Sequence, residues 1–167
     1  MPMRAIIRAG TGIALLLGAL ATLTGCNDAP QAKAPPAQEL SETFKDFGNY
    51  EVHFNALRTD TLSPDIARTY GIQRSKNRVM LNVTLLHKDA DKAPRKPMNA
   101  AVQVDAYNLN GQLKNMDMRR VAEGEAIYYI GETSISGSEI LVFDIKVTPE
   151  GENGALEVKL KREFDAS

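Results

Sequence analysis

Near its end the chain reads Leu156-Glu157-Val158-Lys159-Leu160-Lys161, apolar and charged residues in strict alternation. Side chains of a β-strand point alternately to its two faces, so this segment has one dry face and one wet face. A helix of the same sequence would mix the two sets. The same period of two runs through most of the chain from Phe47 onward. Tyr50, Val52, Phe54 and Ala56 share one side of a first strand, with Glu51, His53 and Asn55 on the other. Val79, Leu81, Val83 and Leu85 repeat the pattern, and Val102, Val104 and Ala106 mark a third strand. A fourth strand is expected over residues 113–121. A fifth covers 126–133, with Tyr128 and Ile130 on one face. Leu141, Phe143, Ile145 and Val147 belong to a sixth, and the segment first described is the seventh.

The punctuation between strands agrees with this reading. Asn110-Gly111 is the dipeptide of a tight two-residue hairpin turn, whose central residues both need positive φ. Pro149, Gly151, Asn153 and Gly154 form a turn cluster before the last strand. One helix interrupts the pattern. Ser63 is placed to cap it, Pro64 suits its first position and Asp65 its first turn. Gly71 is a stop signal, and Ile72 can fold back on Ile66 or Ala67. Such a helix has two turns at most and must lean on the sheets. The predicted fold is all-β: an antiparallel, immunoglobulin-like β-sandwich of about seven strands with one short helix, a small barrel being the competing arrangement. The inter-sheet disulfide and buried tryptophan of antibody domains are impossible here, since the chain has one cysteine and no tryptophan.

That cysteine has a local explanation. Residues 1–25 carry Arg4 and Arg8, then an apolar run over 13–23. The run falls short of the roughly 20 residues that span a bilayer, and the whole reads as a secretory signal. The cleavage region Leu23-Thr24-Gly25-Cys26 resembles the bacterial lipobox at all four positions. The resemblance implies a lipid on the Cys26 thiol and an acylated α-amine, and two or more acyl chains anchor stably. Asn27, where inner-membrane lipoproteins of enterobacteria carry Asp, favours the outer membrane. Residues 26–41 then hold Pro30, Pro35 and Pro36 with Ala, Gln and Lys and no apolar period. This is a semi-extended tether, able to reach roughly 40 Å. Residues 42–167 are the folded domain, presented in the cell envelope and facing the periplasm.

The stretch from Phe47 to Leu86 contains Gly48-x-Tyr50, Leu62-Ser63-Pro64-Asp65-Ile66-Ala67, Tyr70-Gly71-Ile72, Arg74-Ser75 and Asn82. It resembles an uncharacterised bacterial family, domain of unknown function 4426. The resemblance implies a secreted β-domain and brings no activity, cofactor or catalytic residue.

Charge and chemistry narrow the function classes. From Cys26 onward the chain has 18 basic against 21 acidic residues, which is no footprint for nucleic acid. No Gly-x-Ser-x-Gly elbow, His-Glu-x-x-His pair or phosphate-cradling glycine loop occurs, and the carboxylates are scattered. No catalytic residue and no cofactor is therefore assigned, and an enzyme, a hydrolase for instance, is the least favoured class. Met116 and Met118 share a face if they lie on a strand. With His53 or His87 they suggest a Cu(I) carrier; as core fillers they suggest nothing, and core filling is the reading adopted. Arg74, Lys76 and Arg78 alternate, and Arg68 lies on the preceding helix. Together they make a candidate face for an anionic envelope component or an acidic protein partner. Asn82-Val83-Thr84 is formally a glycosylation triplet, and Asn82 is expected to bond nearby backbone. The expected function is a non-enzymatic binding domain of an envelope lipoprotein, with a periplasmic carrier of a small ligand or metal as the alternative.

Overall fold

The computed structural model describes residues 42–89 and 94–167. The expectations for the signal, Cys26 and the tether lie outside these residues.

Ten strands and one helix follow in the order β1 (Phe44–Asp46), β2 (Tyr50–Arg58), a 3-10 turn (Thr59–Thr61), α1 (Pro64–Thr69), β3 (Arg78–His87), β4 (Lys96–Pro97), β5 (Ala100–Asn108), β6 (Leu113–Lys114), β7 (Arg119–Glu123), β8 (Ala126–Ser134), β9 (Ser138–Pro149) and β10 (Leu156–Asp165). Every strand pair is antiparallel. One sheet runs β1-β2-β3-β8-β7, with β4 on the end of β3 that β8 leaves open. The other runs β10-β9-β5-β6. Taking only the strands of five or more residues, the orders are 1-2-5-4 and 7-6-3. This is the arrangement of an immunoglobulin constant-type sandwich.

The core forms where the dry faces meet. Val52, Val79, Leu81, Val83, Leu85, Leu141, Phe143 and Val147 are wholly buried, and Ala106, Val158 and Leu160 join them. Each large apolar side chain so buried contributes roughly 1.5–3 kcal/mol. Tyr129 of β8 reaches across this layer, and its hydroxyl accepts a 2.7 Å hydrogen bond from the Ala100 amide at the start of β5.

Two expectations are corrected. The hairpin after β5 has three loop residues, because Asn108 rather than Leu109 makes the closing pair: its amide donates to the Gln112 carbonyl at 3.1 Å. The buried Asn108 side chain also accepts from the amides of Asn110 (3.1 Å) and Gln112 (3.0 Å), and Gly111, at φ 77°, takes the left-handed position that a three-residue loop needs. The predicted fourth strand divides. Residues 113–114 pair with β5 in one sheet, residues 119–123 pair with β8 in the other, and the chain between crosses from sheet to sheet.

The helix follows its signals closely. The Ser63 hydroxyl accepts from the Ile66 amide at 3.2 Å, and Pro64 opens the first turn. At the far end the Ile72 amide donates to Ala67 O (2.8 Å) and the Gly71 amide to Arg68 O (3.2 Å), the two bonds of a Schellman motif, with Gly71 at φ 63°. Ala67 and Ile72 are buried against Met80 and Ile130, on the outer face of the six-stranded sheet.

Candidate functional site

The outer face of the six-stranded sheet is built from the residues that alternate away from the core. Asn55 of β2 stands opposite Asn82 of β3, and Asn82 opposite Ile130 of β8. One row along, Leu57, Met80 and Glu132 are cross-strand neighbours. The helix covers one part of this face and leaves an apolar notch beside it. Leu62, Ile66, Tyr70 and Ile72 form the wall; Met80, Asn82, Tyr128 and Ile130 form the floor. The notch holds about 170 Å³. A second hollow of about 210 Å³ shares Asn82 and is otherwise lined by Thr43, His53, Phe54, Asn55 and Thr84. The two hollows thus share one side chain, with an apolar side and a mostly polar side.

The expectation that Asn82 bonds nearby backbone is overturned. Its Oδ1 is buried and accepts no hydrogen bond among the described residues. On β3 the neighbouring carbonyls and amides are already spent on the ladders to β2 and β8, so the side chain finds no backbone partner. A buried acceptor left unmade costs about 1–3 kcal/mol. Nearby, Asn55 Oδ1 accepts 2.6 Å from an Arg162 guanidinium nitrogen. The NH₂ of Asn55 is thereby turned away from Arg162.

The wall of the notch is fixed at both ends. Besides the caps of α1, the Tyr70 hydroxyl donates to the Glu123 carboxylate of β7, and Arg119 donates to Tyr70 O at 2.5 Å. The Glu123 bond, with some burial, pushes the Tyr70 hydroxyl up to about 12. Behind the helix, the buried Thr59 hydroxyl donates to Gln73 O (2.8 Å) and accepts from the Ser75 amide (2.9 Å), which pins the return loop.

Each of the four basic residues has a partner of its own. Arg68 pairs with Asp65 at 2.9 Å on the exposed side of α1. Arg74 donates to Asp60 O at 2.7 Å, Lys76 to Ser167 O at 3.2 Å, and Arg78 to the Glu132 carboxylate at 3.3 Å. Alternation does not align Arg74, Lys76 and Arg78, because Lys76 and Asn77 lie in a turn, not in extended chain. The Asn77 amide donates there to the Ser75 hydroxyl at 3.1 Å.

Met116 and Met118 lie in the crossover between β6 and β7, not on a strand. Both still meet, because Gly131 leaves room for them. A Cβ at Gly131 would contact the Met118 sulfur, and Met116 Cγ at 2.7 Å and its sulfur at 3.3 Å. Both pack with the inter-sheet core. His53 stands instead on the outer face, 3.2 Å from the Glu51 carboxylate and stacked on Phe44. His87 ends β3 and pairs with Asp89 at 2.9 Å. The structure therefore joins the methionines to each other and not to His53. Among the described residues, no group of three or more His, Cys, Asp or Glu is placed to hold a metal ion, and no helix is long and apolar enough to cross a membrane.

The notch was not legible in the sequence. The one hint was Asn82 itself, an amide among Val79, Met80, Leu81 and Val83.

No curated protein matches the chain. Among solved structures, a DUF4426 family protein from Pseudomonas aeruginosa PAO1 is 34% identical, with a TM-score of 0.63 over 77% of this chain and 98% of its own. FetP of uropathogenic Escherichia coli strain F11, as isolated, is 12% identical with a TM-score of 0.48, over 75% of this chain and 93% of its own. A copper-bound variant of FetP gives the same identity and TM-score. FetP is too distant to bear on function. The family model for DUF4426, a domain of unknown function, matches residues 44–165. With that match spanning nearly the whole described domain, the chain belongs to the DUF4426 family.

Proposed function

We propose that this chain is a non-catalytic binding domain of the bacterial cell envelope, held to a membrane through lipidated Cys26 and facing the periplasm. Its binding site is the notch beside α1. One observation carries the reading: an apolar hollow with a fixed wall is lined by Asn82, whose buried Oδ1 accepts no hydrogen bond from any described residue. Well-formed apolar pockets with a few placed polar groups are the usual form of a binding site. A stability cost tolerated on a surface hollow fits a role outside folding.

The test uses a photo-crosslinking residue in the full-length lipoprotein in cells. Ile66, at the rim of the notch, is 47% exposed and accepts the substitution without core damage. Lys161, on the outer face of the four-stranded sheet, is the control. A discrete adduct from position 66 that is missing from position 161 supports the site. Equal labelling from both positions, or none from 66, removes it. Cys26→Ser in the same cells should release the protein from washed membranes.

A further inference from the structure

We infer that the notch takes one uncharged, apolar side chain of an extended peptide, and that Asn82 receives the peptide's backbone N–H. This rests on the reading of the notch as a binding site and says what enters it. None of the eight described residues that line the notch carries a charge. A charged occupant would lose its water there and gain no counter-charge. The volume, about 170 Å³, is close to the ~150 Å³ of an apolar cavity that accepts benzene. It therefore suits one aromatic ring or one branched aliphatic group.

The polar half of the site then decides between a simple apolar molecule and a peptide. Asn82 lines the notch and the polar hollow alike. An occupant that runs from the notch into the polar hollow passes this amide and turns polar there, as a peptide does between side chain and main chain. The terminal amide of Asn turns about a soft χ2, so Asn82 can bring its unbonded oxygen to an incoming N–H. Opposite it, Asn55 has its oxygen engaged by Arg162, which leaves its NH₂ to meet a carbonyl. One donor and one acceptor, side by side on neighbouring strands, match the two groups of a peptide unit. The capped helix and the Tyr70–Glu123 bond hold the wall in place before the ligand arrives, which lowers the ordering cost of binding.

The experiment follows the methyl signals of Met80, Ile66 and Ile130 by NMR, on the full chain in detergent micelles. The probes are acetyl-Gly-Phe-Gly-amide, its ester analogue with oxygen in place of the Phe N–H, acetyl-Gly-Ala-Gly-amide, and N-acetylglucosamine. The Phe peptide should move these methyls saturably. The ester and the Ala peptide should each bind about tenfold more weakly, and Asn82→Ala should erase the difference between amide and ester. The amide–ester comparison needs only the unaltered chain, so it decides the point even if the variant does not fold. Equal binding of amide and ester overturns the inference. So does N-acetylglucosamine moving the methyls while the Phe peptide does not. If position 66 captures a partner but the Phe peptide moves nothing, the inference fails and the site stands. If both are silent, the site falls as well.

Discussion

Arg162, on the last strand of one sheet, donates a 2.6 Å hydrogen bond to the side-chain oxygen of Asn55, on the second strand of the other. The same guanidinium donates to Ala56 O. These bonds close one side of the sandwich and also set which end of the Asn55 amide faces the polar hollow. Two further cations work the same seam: Lys45 donates to Glu157 O at 3.1 Å and Arg58 to Asp165 O. Arg162→Met keeps the apolar stem and removes the donors. It should lower stability by about 2 kcal/mol, the scale of hydrogen bonds from a charged group, read as a lower urea midpoint at unchanged m-value.

Gly131 makes the room for Met116 and Met118. Gly131→Ala places a methyl group against Met116 Cγ at 2.7 Å and against the Met118 sulfur. The Met118 end can swing away, but Met116 is buried and its Cγ lies nearer the backbone. The expected cost is about 1–3 kcal/mol. The methyl signals of Met116 and Met118 should both shift, while that of Met80, on the opposite face, should not.

Gly71 ends the helix in the left-handed region, at φ 63°, with nothing within 4 Å of where a Cβ would stand. Gly71→Ala therefore tests conformation without collision. About 1 kcal/mol should be lost. A thermal melt showing no change would mean that the cap relaxes into another geometry.

Tyr70 should ionise late. Its hydroxyl sits at about 12 against an ordinary 10, chiefly because it donates to the Glu123 carboxylate. A folded-state value raised above the unfolded one contributes stability that is full below pH 10 and is lost as pH rises toward about 12. Ultraviolet titration of the phenolates should show Tyr70 delayed, together with Tyr50, whose hydroxyl is also raised by burial and by its bond to the Glu152 carboxylate. In Glu123→Gln the Tyr70 step should move earlier while that of Tyr50 stays, and stability between pH 10 and about 12 should fall less steeply.

The strand faces could be read from the chain alone because a period of two is a local property. Val79, Leu81, Val83 and Leu85 point one way whatever the sheet order, and all four are buried. The helix was equally legible, since Ser63, Pro64 and Gly71 act on backbone within a few residues. Residues 113–121 mark the boundary of that kind of reasoning. Their pattern is apolar enough for a strand, but nothing local says that the chain changes sheets between Lys114 and Arg119.

The site belongs to the other class. Its wall comes from residues 62–72 and its floor from Met80, Asn82, Tyr128 and Ile130. These meet only because β8 pairs with β3 across almost fifty intervening residues. The partners of the basic residues are as remote: Glu132 for Arg78, Ser167 for Lys76. Sequence by itself determined which residues face inward, where the helix starts and stops, and that an all-β fold results, because alternation and capping are set by covalent neighbours. Only the tertiary structure decided that Asn82 Oδ1 has no partner among the described residues and that an apolar hollow opens beside it. An unmade hydrogen bond and an unfilled volume depend on every group that could have reached them, and those groups come from across the whole chain.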